Sequence, residues 1–108
     1  MSHANAEKRA RTHKLKPSTL NYLLKTAKDY GINKMILFGS CLHTPEDKAG
    51  DIDLAVDAKG LGRRTVDYFT GELLLNFELT KEVDVVDLSE DIPFIPKILE
   101  EGIVIYER

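Results

Sequence analysis

"KMILFGSCLHTPEDKAGDIDLAV", residues 34 to 56, holds two short apolar runs with a polar stretch between them. The first, Lys34 to Phe38, is partly β-branched and reads as a buried strand. Gly39 and Ser40 end it, and Pro45 interrupts the polar stretch, so residues 40 to 50 form a loop or a short helix. The second run, "DIDLAV", alternates. Ile52, Leu54 and Val56 point to one face of a strand while Asp51, Asp53 and Ala55 point to the other. One carboxylate at the start of a strand is ordinary, but two on one face, shortly after a Gly-Ser turn, are groups gathered to hold something positive. Positions i and i+2 lie roughly 6 to 7 Å apart along a strand, so both carboxylates can reach a common ion.

Upstream, Leu20, Leu23, Leu24 and Ala27 recur at helical spacing within Pro17 to Tyr30. Pro17 suits a first helical turn, and Gly31 stands where a left-handed cap is needed. Downstream, "KGLGRR" is a turn, after which Val66, Phe69, Leu73, Leu74 and Phe77 keep helical spacing to about Leu79, a stripe assigned to the core. "EVDVVDL", residues 82 to 88, is a β-branched strand. Residues 92 to 101 make a short helix opened by two prolines, Gly102 ends it, and "IVIY" closes the chain as a strand. Helix, strand, strand, helix, strand, helix, strand is the order of a small α/β (α+β) domain. One mixed sheet carries helices mainly on one face, because there are too few to cover both. The Asp51/Asp53 face is then the open one, or a cleft at its edge.

A chain of 108 residues with 43% hydrophobic and 31% charged positions supports one soluble domain with one core. No apolar run approaches the roughly 20 residues that span a bilayer, and no signal peptide opens the chain, so a cytoplasmic protein without a membrane partner is expected. A single cysteine, Cys41, excludes an internal disulfide and reads as a small packing residue. Charge is uneven: Lys8, Arg9, Arg11, Lys14 and Lys16 face only Glu7 in residues 1 to 16, a net +4 within a total of −3, so residues 17 to 108 carry −7. Residues 1 to 16 therefore read as a flexible basic arm on an acidic domain, residues 17 to 108. With no interleaved aromatics the arm reads as a solvated terminus, and the acidic domain makes nucleic acid the weakest candidate partner.

Asp84 lies among Val83, Val85 and Val86, where an unpaired charge is expensive if the strand is central. If that strand lies beside the Asp51 strand, three carboxylates converge in the hard oxygen environment preferred by Mg²⁺ or Mn²⁺. Asp87 has the opposite parity and faces away. Gly39 and Ser40 complement the carboxylates: glycine lets a ligand approach the backbone, and exposed N–H groups with a serine hydroxyl hold anionic oxygens. Anion donors opposite a cation site are the arrangement of metal-dependent phosphoryl or nucleotidyl transfer.

Gly39-Ser40, ten residues, Asp51-x-Asp53 and then Asp84 in a hydrophobic strand resembles the DNA polymerase β-like nucleotidyltransferase superfamily, in particular its minimal nucleotidyltransferase branch. The resemblance covers about residues 18 to 108. It implies that Asp51, Asp53 and Asp84 bind the catalytic Mg²⁺ or Mn²⁺, that Asp84 helps deprotonate the acceptor hydroxyl, and that Gly39 and Ser40 anchor the triphosphate of ATP or another nucleoside triphosphate. Many members of the branch are antitoxins of HEPN-domain toxins, some transferring AMP to a toxin tyrosine. One departure stands out. Where the family usually continues with x-Ala-Arg-Gly, this chain has Cys41, Leu42, His43 and Thr44. His43 lacks the planar fork of an arginine, so Lys48 or the Arg63 and Arg64 pair are candidates to supply the charge.

Three functions are compatible with these residues: an active transferase of AMP or another nucleotide to a protein hydroxyl; a non-catalytic antitoxin of the same fold that masks its partner by contact; and, weakest, an RNA- or DNA-binding adaptor using the basic arm. So small a domain leaves little wall around a nucleotide. Part of the acceptor site is therefore expected from another chain, a second copy in a homo-oligomer or a HEPN-type partner.

Overall fold

The computed structural model describes residues 13–76, 79 and 81–108. Helix α1, Pro17–Asp29, opens on its proline and buries Thr19, Leu23, Thr26 and Ala27. Gly31 closes it at φ 72°, where its N–H reaches the Lys28 carbonyl. The chain reverses into β1, Lys34–Phe38, passes through two 3₁₀ turns, Gly39–Leu42 and Glu46–Lys48, and returns as β2, Ile52–Asp57. Helix α2, Thr65–Leu74, crosses to β3, Val83–Asp87; helix α3, Ile95–Glu101, leads into β4, Ile103–Glu107.

The four strands form one sheet in the order β3-β2-β1-β4. β1 is antiparallel to β2 and β4, whereas β2 and β3, joined through a helix, run parallel. Alternate residues serve different layers. Met35, Leu37, Ile52, Leu54, Val56 and Val83 enter the main core under α1 and α2, where Leu23 and Phe69 are wholly buried. Ile36 and Ala55 face the other way and pack beneath Ile98 of α3. Gly102 lets α3 close onto β1, because a Cβ there would stand 2.5 Å from Ile36 Cγ2 and 2.6 Å from the Ile98 carbonyl. The fold is the mixed-sheet α/β architecture expected, with two of the three described helices on one face.

Five expectations need correction. Helix α2 stops at Leu74 rather than near Leu79; Leu75 N–H still bonds to Gly71, but Asn76 bonds only three residues back, to Leu73. Leu73 and Leu74 lie about 100° apart around a helix, so only Leu73 faces the sheet, and Leu74 is exposed. Phe77 lies outside the described residues. Helix α3 begins at Ile95, not Ile92: residues 93 and 94 form a turn closed by Ile95 N–H on the Ile92 carbonyl, and Pro96 then occupies the first helical turn. The Asp51/Asp53 face is not fully open either, since α3 covers its Ala55 end. Finally, Lys14 to Lys16 are not a loose arm: Lys14 N–H donates to the Cys41 carbonyl, Lys14 O accepts from Glu46 N–H, and Leu15 is buried. Residues 1–12 of the arm lie outside the described residues. Among those described, no helix is long and apolar enough to cross a membrane.

Candidate active site

The end of β1 and the start of β2 pair antiparallel, placing Phe38 opposite Asp53. β2 and β3 pair in parallel register, placing Asp53 beside Asp84. Phe38, Asp53 and Asp84 therefore form one row across the sheet, on the face away from the main core. Immediately after Phe38 the backbone turns at Gly39 with φ 78°, and a Cβ there would strike the Asp53 carboxylate. Glycine is required twice over, for the left-handed dihedral and for the close approach. Ser40 comes next, exposed, and its carbonyl accepts from His43 and Thr44 N–H, closing the 3₁₀ turn.

The expected site residues Gly39, Asp53 and Asp84 are thus brought together, with Ser40 and Asp51 each one or two positions away. Asp51 and Asp53 are half-buried; Asp84 is exposed. Asp84 would carry a desolvated charge only on a central strand; β3 is the edge strand, and water reaches that carboxylate. Asp53, on an interior strand, is the strained one. Burial, then Asp84, then Asp51 push its carboxyl above the ordinary carboxylate range. Among the described residues, none of these three carboxylates accepts a hydrogen bond or pairs with a cation. The donor set, all hard oxygen and uncompensated, fits a divalent cation. It is a loose patch rather than a closed ligand shell: no three acidic, histidine or cysteine side chains among the described residues are gathered around one point. Strand spacing accounts for this, since i, i+2 and cross-strand neighbours leave each carboxylate several ångströms from the next.

The loop between the strands is fastened from behind. Glu46, almost wholly buried, accepts from the Lys16 backbone N–H at 2.9 Å and from the Thr19 hydroxyl at 2.8 Å. Cys41 is buried beneath the turn with its sulfur 3.8 Å from the Asp51 carbonyl. Burial above all pushes its thiol pKa up, which leaves it a packing residue. Asp87 faces the groove between α2 and β3, as its parity requires, and accepts from Ser89 N–H and Oγ.

A pocket of about 340 Å³ opens beside Gly39, walled by Phe38, Gly39 and His43 and, from α3 and the residue before it, by Phe94, Lys97 and Glu101. The charges expected to replace the absent arginine are elsewhere. Arg63 lines the α2–β3 groove on the opposite face of the sheet, Arg64 caps α2, and Lys48 lies exposed on the second turn. Lys97 and Glu46 escape a reading of the sequence. Neither carries a local signal: Lys97 reaches the pocket beside the loop from α3, and Glu46, within the loop, finds its partners Lys16 and Thr19 only through tertiary packing.

The sequence pattern of the family "Polymerase beta, Nucleotidyltransferase" matches residues 21–108, which contain the whole row and the loop beside it. The chain belongs to the polymerase β nucleotidyltransferase family. None of the curated proteins compared is a match. Among solved structures, a mutant of the toxin-antitoxin pair MntA-HpeT has a chain 22% identical in sequence, with a TM-score of 0.62 over 82% of this chain and 73% of that one. At that identity the likeness is one of fold. The nucleotidyltransferase sheet is common to both.

Proposed function

We propose that this nucleotidyltransferase domain moves AMP from ATP to a hydroxyl of a protein partner in the cytoplasm, as the antitoxin of a HEPN-type toxin. The observation that carries the reading is the in-register pair Asp53 and Asp84, with Asp53 set directly against the side-chain-free backbone of Gly39. Asp51, Asp53 and Asp84 hold Mg²⁺ or Mn²⁺, which when bound neutralises phosphate charge and acidifies the acceptor hydroxyl. Gly39 and Ser40 receive the triphosphate at the turn. The acceptor oxygen forms a bond to the α-phosphorus as the bond to the bridging oxygen breaks; pyrophosphate leaves with that electron pair, and exposed Asp84 takes the hydroxyl proton. The solved toxin-antitoxin pair of the same fold supports the partner class. Part of the acceptor site comes from that partner or from a second copy of this chain.

His43 at the usual arginine position favours a second reading, an antitoxin of the same fold that works by contact alone. Intact-mass spectrometry of a HEPN-domain partner, incubated with this protein, Mg²⁺ and each nucleoside triphosphate, separates the two. A nucleotide-sized mass gain is expected with ATP, and the Asp51→Asn variant should give none. A stable complex formed equally by both proteins, without a mass gain, would instead establish the contact mechanism.

A further inference from the structure

Gly39 and His43 do not face solvent alone: across the pocket beside them stands α3, whose Lys97 enters the same wall. Its ammonium forms no salt bridge among the described residues, not even with Glu101 one turn further along the helix. On a domain whose residues 17 to 108 carry −7, an exposed lysine in the wall of a pocket leaves its ammonium available to an anionic ligand. Phe38 and Phe94 supply apolar wall to the same pocket, and Glu101 is the one carboxylate in its lining. A site of this size holds part of a nucleotide rather than all of it.

We propose that Lys97 binds the phosphates of the nucleotide at the Gly39–Ser40 turn, doing from α3 what an arginine on the loop itself would otherwise do. This rests on the nucleotidyltransferase reading above and names the residue that completes its phosphate site. A lysine suits the position because its compact charge rides on a flexible stem, so it can cross from a neighbouring helix to the loop without the fixed geometry of a guanidinium. Glu101 lines the same pocket and opposes the incoming charge. The domain thereby recovers a cation that its loop sequence lacks.

The test is equilibrium binding of MgATP to the full chain and to Lys97→Met, Lys97→Arg and Glu101→Gln, with adenosine as the phosphate-free competitor. Lys97 is exposed, so the fold should survive, and circular dichroism verifies it. Lys97→Met should weaken MgATP about tenfold or more, the worth of one hydrogen bond to a charged group. Lys97→Arg should restore most of the affinity, Glu101→Gln should tighten it, and adenosine should compete equally with wild type and Lys97→Met. Unchanged MgATP affinity in Lys97→Met, or an equal loss for adenosine, overturns the proposal and leaves the nucleotidyltransferase reading standing. A wild-type protein that binds no MgATP overturns both.

Discussion

The two faces of the sheet are made by the same strands, yet they carry different chemistry. Beneath α1 and α2, β1 and β2 present Met35, Leu37, Ile52, Leu54 and Val56, all completely buried. On the opposite face the same strands present Ile36 and Ala55 under α3, and then, at the end near the Gly39 turn, Phe38 and Asp53 with Asp84 alongside. The first face is uniform and dry; the second changes from apolar to anionic within two residues of β2. Stability is therefore concentrated on one face, while the other gives up some of it to hold charge at the turn.

Substituting one residue from each face sharpens this contrast. The largest effect on folding is expected from Leu54→Ala, which removes a fully buried side chain from an interior strand and should destabilise the domain by about 2–5 kcal/mol in urea denaturation. A loss below about 1 kcal/mol would mean that the main face is less tightly packed than its burial implies. Glu46→Ala tests the seam between the faces. It leaves the Lys16 N–H and the Thr19 hydroxyl without their acceptor, at a cost of about 1–3 kcal/mol. It should also lower nucleotide transfer, since Glu46 ties the Gly39–Lys48 segment to α1. Unchanged transfer at temperatures where the variant remains folded would show that the tie serves stability only.

Asp53→Asn should produce the smallest shift, and one of opposite sign. With chelator present, the wild-type carboxyl titrates higher folded than unfolded, because burial, Asp84 and Asp51 all oppose its charge. The folded chain then binds the proton more tightly, so wild-type stability falls as pH rises from the ordinary carboxylate range through the raised folded value. Asp53→Asn should accordingly melt a few degrees higher than wild type at pH 7, and this gain should vanish at a pH below that range. A variant less stable at neutral pH would break the contrast between the faces, because the carboxylate would then be a structural asset.

Much of this is legible along the chain. Element order derives from hydrophobic period, which is local, and the pairing of Gly39-Ser40 with Asp51-x-Asp53 spans a single reversal of the backbone. The burial of Asp84, left open on whether its strand is central, and the wrong expectation of Leu74 as core share a cause. Apolar neighbours in sequence do not reveal whether a strand is interior or edge, or which side of a helix finds a sheet.

By itself, the sequence determined the strand parities, and with them that Asp53 and Ala55 share a face, since alternation is a property of the extended backbone. It also determined that Gly39 could turn left-handed with no side chain in the way. Only the tertiary structure decided that β3 lies parallel to β2 in the register that sets Asp84 against Asp53, and that α3 returns over the sheet to place Lys97 beside the Gly39 turn. Strand order and helix placement depend on how the whole apolar surface is shared between two layers, and that balance is not written in any one segment.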